Sequence, residues 1–218
     1  MSVGILLSMA GGLGLFLMGM KLMSDGIEKA AGAKLRDILE IFTKNRFIGM
    51  IVGVIFTAII QSSSACTVMV VSFVNSGLMS LYQAAGVIFG ANIGTTVTSQ
   101  LVSFNLSEAA PVFLLGGVLF TMFSKNETVK KLVNIVAGFG VLFLGLSQMS
   151  GAMAGLKDVP QVISILSSLQ SPLFAIVVGT VLTAIIQSSS VTVSIVLLMA
   201  NQGLLDLNIC MFIILGCN

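Results

Sequence analysis

Long apolar stretches separated by short polar loops run through the chain, and their lengths set the first expectations. Val3 to Ser24 is long enough to cross a bilayer as a helix, at about 1.5 Å per residue against a hydrocarbon core of about 30 Å. From Asp25 to Arg46 the composition changes to DGIEKAAGAKLRDILEIFTKNR. There Ile27, Leu35, Ile38, Leu39 and Phe42 share one helical face while Lys29, Lys34, Arg36 and Asp37 lie elsewhere, which predicts a helix lying in the membrane interface. Phe47 to Val74 is apolar for 28 residues with Gln61 to Ser64 at its centre. As one helix it would be about 42 Å long and would overshoot the hydrocarbon. A helix over 47–60 and a second over 65–74 that returns to the side of entry fit better, giving a re-entrant hairpin with QSSS at its tip. Asn75, Ser76 and Gly77 supply the stop.

Gln83 to Phe104 is again of spanning length but carries GANIGTT at Gly90 to Thr96. Two glycines and an asparagine weaken the helix, and Thr95 and Thr96 are able to cap a new one, so a broken span is expected. Leu106 to Phe123 crosses back, a charged turn with Lys125, Glu127, Lys130 and Lys131 follows, and Leu132 to Ser150 crosses again. Gly151 to Ser171 is semi-apolar and nearly uncharged. Pro172 to Ala200 forms a second candidate hairpin with Gln187 to Ser190 at its centre, closed by Asn201, Gln202 and Gly203, and a final run leads from Leu204 to Asn218.

The two hairpins are copies. Thr57 to Ser64 read TAIIQSSS, and Thr183 to Ser190 read TAIIQSSS again, 126 positions later. At the same offset Gly12 to Gly19 (GLGLFLMG) faces Gly138 to Gly145 (GFGVLFLG), Met23-Ser24 faces Met149-Ser150, Asn75 and Gly77 match Asn201 and Gly203, and Gly90 and Asn92 match Gly216 and Asn218. Repeats of this kind in a membrane protein point to a transporter with its site between the halves. The second copy stops at Gly216-Cys217-Asn218 where the first continues into IGTT, so an incomplete second repeat is expected.

Composition sharpens this. Hydrophobic residues make up 56% of the 218 and charged ones 8%, which marks a polytopic membrane protein, and no ten-residue alternation favours a β-barrel. There is no His, and Cys66, Cys210 and Cys217 are scattered among apolar residues, so neither a zinc site nor a disulfide framework is expected. Met1 to Leu7 has no basic n-region and no cleavage site, which predicts a retained first span. The Lys and Arg residues orient the chain. If Phe47 to Val74 is a hairpin, the loops Asp25–Arg46 and Ser124–Lys131 share one side, which with Lys21 carries every basic residue except Lys157. Positive-inside makes that side cytoplasmic and the second repeat inverted relative to the first.

No Asp or Glu lies deep in a predicted span; Glu108 and Asp206 sit near span ends. A proton relay through membrane carboxylates is therefore poorly supported. The centre offers neutral oxygens instead: the hydroxyls of Ser62, Ser63, Ser64, Ser188, Ser189, Ser190, Thr67, Thr192, Thr95 and Thr96, and the amides of Gln61, Gln187 and Asn92. Such ligands serve a hard monovalent cation such as Na⁺. Half-helix N-termini at the same place favour an anion. A site with both features and no fixed charge suits an anion that enters with neutralising cations. Serines in membrane helices often only bond back to their own backbone, but the duplication argues against that reading here. Gly12, Gly14 and Gly19 read as helix-packing positions.

The paired QSSS motifs and the GANIGTT that follows the first resemble the type II sodium-phosphate cotransporter family in its bacterial branch, over essentially the whole chain. The resemblance implies Na⁺-driven uptake of inorganic phosphate by alternating access, with phosphate and Na⁺ held between the two hairpin tips. It places binding at Gln61 to Ser64 and Gln187 to Ser190, with Asn92, Thr95 and Thr96 in support. The expected fold is therefore an all-α polytopic protein of the cell (inner) membrane. It has two inverted-topology repeats, 1–131 and 132–218, each with a spanning helix, an interfacial segment, a re-entrant hairpin (47–74 and 172–200) and a broken helix (83–104 in the first). A connecting span covers 106–123. No catalytic group and no cofactor besides Na⁺ as coupling ion are expected. The expected partners are phosphate, Na⁺ and the lipid bilayer, without nucleic acid, and a homodimer or a PhoU-like regulatory domain in a longer form are compatible. Another small anion or a neutral solute as cargo stays open, as does a non-transporting membrane sensor linked to phosphate signalling.

Overall fold

The computed structural model describes residues 3–42, 45–104, 106–123, 127–156, 159–169 and 171–218, which form helices and turns without a strand among them. Helix α1 runs without interruption from Val3 to Phe42. The separate interfacial helix predicted from Asp25 is thus the continuation of α1. That segment has no proline and is rich in Ala, Leu, Lys and Glu, so nothing in it ends a helix already begun. Lys44, Lys125 and Lys157, and the side chains of Lys34, Arg36, Lys130 and Lys131, on which the sidedness argument leans, lie outside the described residues.

The apolar stretch with QSSS resolves into α2 (Arg46–Ile60) and α3 (Ser63–Asn75), within two residues of the predicted limits. Asn45 starts α2 by accepting from the Phe47 N–H at 2.9 Å. Beyond α3, Gly77 adopts φ 74° and the Leu78 N–H reaches back to the Phe73 carbonyl at 2.9 Å, the glycine stop expected there. The next span is α4 (Leu81–Gly94) and α5 (Thr96–Ser103), interrupted only at Thr95. A 3-10 turn, Leu106–Glu108, precedes α6 (Ala110–Phe123). Pro111 fits only the first turn of a helix, so α6 starts later than predicted and, at 14 residues, is about 21 Å long. Then come α7 (Glu127–Ala154), α8 (Pro160–Ser168), α9 (Pro172–Ile186), α10 (Ser189–Asn201) and α11 (Leu207–Cys217). Among the described residues two stretches are long and apolar enough to cross a membrane by themselves, Val3–Ala30 in α1 and Leu132–Ala154 in α7. The helical chain is consistent with a helical membrane protein.

The chain divides into two compact units, one of Lys21–Leu101 and Gly116–Ala137, the other of Met1–Met20, Val102–Leu115 and Gly138–Asn218. In the first of these, α4 meets α2 through three glycines a turn apart. A Cβ on Gly86 would meet the Arg46 carbonyl, one on Gly90 the Met50 carbonyl, and one on Gly94 the Val54 carbonyl. Both sets of numbers rise together, so α2 and α4 run side by side in the same direction. Because α4 starts beside the start of α2, α3 returns the chain toward the point where α2 began. The core between them holds Phe56, Ile60, Val70, Met79, Ala84, Val87 and Ala91.

In the other unit α9 and α11 repeat this contact, with Gly179 against Ile213 and Gly216 against Ile176, the positions 126 beyond Gly53, Val87, Gly90 and Met50. Its core repeats as well: Val196, Leu205, Cys210, Ile213 and Cys217 stand where Val70, Met79, Ala84, Val87 and Ala91 stand. Cys210 and Cys217 are therefore small packing residues at alanine positions. The same unit contains the crossing of α1 and α7. Gly19 seats on Gly138 and Leu142, and Gly145 seats on Gly12 and Phe16. Further along, Gln148 Nε2 donates to the Ser8 carbonyl at 3.2 Å and Gly155 meets Ile5, so α1 and α7 run antiparallel. The contact of Gly19 with Gly138 and Leu142 and that of Gly145 with Gly12 and Phe16 are reciprocal at the 126-residue offset.

The glycine contacts give a stability test. Gly90→Ala and Gly216→Ala press a methyl into a backbone carbonyl and should each destabilise by about 1–3 kcal/mol. Gly14→Ala, where a Cβ meets nothing within 4 Å, should be neutral or slightly stabilising. Thermal unfolding of the detergent-solubilised variants reads the difference, and equal melting of all three would contradict the packing.

Candidate functional site

Each QSSS segment is the junction where one helix ends and another begins. Gln61 ends α2 at φ 62° and Gln187 ends α9 at φ 61°, and they are the non-glycine residues in the left-handed region among those described. This conformation is unfavourable for a residue with a Cβ and needs local compensation. The glutamine supplies it. Its backbone N–H bonds the carbonyl of Thr57 or Thr183 at 2.7 Å, and its side-chain Nε2 turns back to the carbonyl of Ala58 or Ala184. Carbonyls left open by the end of the helix are thus satisfied by the residue that ends it. A third, that of Ile60, accepts from Ser24 Oγ at 2.8 Å, which ties α1 to the end of α2.

The serine that follows is extended in both copies and begins the next helix. Ser62 Oγ accepts from the Ala65 N–H at 3.2 Å, whereas Ser188 makes no such bond and leaves the first turn of α10 without a side-chain cap. Ser63 and Ser189 are half-buried, Ser64 is exposed and Ser190 is buried. The first turn of α3 and the first turn of α10 therefore each start inside a polar segment, each with its own N–H groups beside its own serine hydroxyls. Such a start favours an anion.

Hydroxyls one turn away line the same junctions. Thr183 Oγ1 donates to Thr192 Oγ1 at 3.1 Å, and Thr192 Oγ1 lies 3.3 Å from the Ser188 carbonyl. The counterparts of Thr183 and Thr192 are Thr57 and Cys66, and the Cys66 thiol faces Thr57. Thr57 is 0% exposed, and its hydroxyl has no hydrogen-bond partner among the described residues. Thr67, whose counterpart is Val193, instead donates to its own Ser63 carbonyl at 2.8 Å. Thr67 and Thr192 are thus not repeat-related, although both lie within one turn of a QSSS.

In GANIGTT, Thr95 is buried and Thr96 exposed. Both hydroxyls bond backward, to the Asn92 carbonyl at 2.6 Å and the Ile93 carbonyl at 2.7 Å, so neither caps the following helix. The glycines do not break α4 either, since Gly90 and Gly94 are its contacts with α2. Asn92 is half-buried. The residue that joins this segment to the first junction is Thr98, 1% exposed, whose Oγ1 donates to Gln61 Oε1. Sequence reasoning missed Thr98. The period gives a retrospective signal: Thr98 lies seven residues after Ala91, on the face of α4 and α5 that meets α2. Thr57 and Thr183 were missed in plain view, as the first letter of each TAIIQSSS.

A polar cavity lies at the other end of α10. It measures about 400 Å³ and is lined by Ser103, Ser107, Ser150, Asn201 and Gln202 among others. Gln202 Nε2 donates to Ser150 Oγ at 2.7 Å. Ser150 is the counterpart of Ser24, so the two corresponding serines bond to opposite ends of their helix pairs.

Comparison with known proteins places these features. Over 206 residues, 93% of this chain and 66% of the relative, the chain is 33% identical to the uncharacterized protein YqeW of Bacillus subtilis (strain 168). It is 26% identical to the putative inorganic phosphate export protein YjbB of Escherichia coli (strain K12) over 98% of this chain and 39% of that protein. It is 37% identical to the sodium-dependent phosphate transport protein 2A of Rattus norvegicus over 44% of this chain and 15% of that protein. The chain thus spans at most about two thirds of the length of these curated relatives. No solved structure matches it. Residues 15–151 and 157–218 match the Na⁺/Pi-cotransporter pattern, with both helix junctions inside the matched ranges, and the chain belongs to the Na⁺/Pi-cotransporter family.

Proposed function

We propose that the protein is a sodium-coupled secondary transporter of inorganic phosphate in the cytoplasmic membrane, working by alternating access, with the QSSS segments of both repeats supplying its ligands. The observation that carries this reading is the reciprocal crossing of α1 and α7, in which Gly19 seats on Leu142 and Gly145 on Phe16 while the helices run antiparallel. Reciprocal contact is the mark of a two-fold relation, and a two-fold between antiparallel spans lies in the membrane plane. This supports reading repeats 1–131 and 132–218 as inverted and each helix–junction–helix unit as a re-entrant hairpin, with α2–α3 entering from the cytoplasm and α9–α10 from outside. Their junctions sit at membrane depth, where polar backbone is tolerated only in protein or against a water-filled cavity.

The hydrogen bonds divide the work between the junctions. At the first, Gln61 Oε1 is occupied by Thr98 and the Ala65 N–H by Ser62. At the second, α10 has no side-chain cap. Phosphate therefore draws more of its donors from Ser188 to Ser190 and the first turn of α10. Na⁺ is served by the neutral oxygens of the Gln, Ser and Thr side chains, with Asn92, Thr95 and Thr96 as further contributors. With no acidic side chain at the junctions, co-transported Na⁺ supplies the charge that neutralises the anion. On this topology the cavity at Ser150 and Gln202 faces the outside and is a water-filled approach. A second reading, net export, is favoured by the likeness over 98% of this chain to the putative inorganic phosphate export protein YjbB. A symporter is reversible, and the same site serves both directions according to the gradients.

Reconstituted into proteoliposomes, the protein should take up labelled phosphate when an inward Na⁺ gradient is imposed and not when choline replaces Na⁺. Loss of phosphate from preloaded vesicles under an outward phosphate gradient, still requiring Na⁺, would select export. Flux indifferent to Na⁺ in both directions would reject the coupling. Ser189→Ala should lower apparent phosphate affinity by about ten- to a hundredfold, the loss of one charge-assisted hydrogen bond. Ser63→Ala should cost less, and Ser72→Ala, whose hydroxyl bonds the Val68 carbonyl on an exposed face, should cost nothing. Equal concentration dependence in all three variants would remove the QSSS segments from the site.

A further inference from the structure

Away from the junctions, the start of α2 and the start of α4 enclose an apolar groove of about 320 Å³ that transport does not use. At one end stand Arg46 and Tyr82, and the groove continues between Phe47, Met50, Ala85 and Phe89. Its floor is the close contact of Gly86 with the Arg46 carbonyl. Tyr82 is 80% exposed and Phe89 67%, so large aromatic faces are left uncovered here. The Arg46 guanidinium lies over the Phe47 ring, 5.1 Å from its centroid, and no carboxylate among the described residues pairs with it. The shape is that of a cation and a tyrosine at a helix start, followed inward by a slot for a hydrocarbon chain.

We propose that this groove is a binding site for an anionic phospholipid, with the headgroup phosphodiester on the Arg46 guanidinium and one acyl chain along Phe47, Met50, Ala85 and Phe89. Charge complementarity selects the occupant. A cation without a counter-ion among the described residues, at the mouth of an apolar slot, matches a molecule that is anionic at one end and hydrocarbon at the other, and a juxtamembrane Arg is worth about fivefold in local enrichment of anionic lipid. Tyr82 at the same level fits the interfacial zone, where aromatic rings with a polar tip collect. The second repeat provides an internal contrast. At the offset of 126, Arg46, Tyr82, Gly86 and Phe89 become Pro172, Asn208, Phe212 and Leu215. The cation is lost and a phenylalanine replaces the glycine of the floor, so the lipid site belongs to the first repeat alone.

The chain contains no tryptophan, so a single Trp is a clean reporter. Phe89→Trp places it in the groove, and Leu215→Trp places it at the repeat-related position, itself 65% exposed. Both proteins are reconstituted into phosphatidylcholine–phosphatidylglycerol vesicles in which either one lipid or the other carries brominated acyl chains. At position 89, brominated phosphatidylglycerol should quench with about fivefold preference over its share of the bilayer. Adding Arg46→Gln should abolish the preference while leaving general quenching intact, and position 215 should show none. Equal quenching by both lipids at position 89, or a preference that survives Arg46→Gln, overturns the proposal. Protection of the Trp at position 89 from both lipids also overturns it, because protein then covers the groove.

Discussion

Everything in this chain turns on how a helix is ended among apolar residues. The end of a helix leaves carbonyls without partners, and in surroundings that supply no water each open carbonyl costs several kcal/mol. A glycine would make the left-handed turn easily but would bring no donor. Gln61 and Gln187 accept the steric cost of positive φ and return a side-chain amide to the carbonyl three residues earlier. Three serines then begin the next helix. One residue type closes the first helix, another opens the second, and the polar atoms left over are the ones available to a solute.

That arrangement holds only if the flanking helices cannot slide, and backbone contact provides this. Lipid chains are as apolar as leucine side chains, so burying large apolar residues gives little reason for two helices to associate in a bilayer. Close approach through glycine does, by dispersion and by shape. Gly53, Gly90 and their counterparts Gly179 and Gly216 bring α4 onto α2 and α11 onto α9. Thr98 then reaches Gln61 because α5 continues the helix that those glycines have fixed. The glycines of GANIGTT are thus support for the junction, one step removed from it.

Much of this was legible in the sequence. The 28-residue length of Phe47 to Val74 excluded one straight span, TAIIQSSS marked both junctions, and Asn75 to Gly77 marked the stop, because each depends on local geometry. What stayed hidden depends on contacts distant in sequence or on the balance between neighbouring signals. The continuation of α1 past Asp25 could not be read, because charge predicts where a segment sits more readily than whether a helix ends. Gly90 and Gly94 read as breakers because local propensity counts against glycine, while their partners on α2 lie forty residues away. Pro111 could have been read as a helix start, and the apolar run around it concealed it. Thr67 and Thr192 looked alike only until they were placed in the repeat register, where their counterparts are Val193 and Cys66.

The duplicated sequence is not matched by duplicated bonding, and this bears on mechanism. Ser24 and Ser150 are counterparts, yet Ser24 holds the end of α2 at the junction while Ser150 holds Gln202 beyond the far end of α10. Ser62 likewise caps its helix where Ser188 does not. If the repeats are inverted copies, two such bonding patterns held by nearly one sequence define two local states that differ by a few hydrogen bonds. Each is worth only about 1 kcal/mol net, so an exchange of patterns between the repeats costs little overall. An inverted pair that exchanges patterns converts one facing into the other while the sum of bonds stays the same. In the transporter proposed above, asymmetry between equivalent serines lets a fixed set of ligands serve both sides of the membrane.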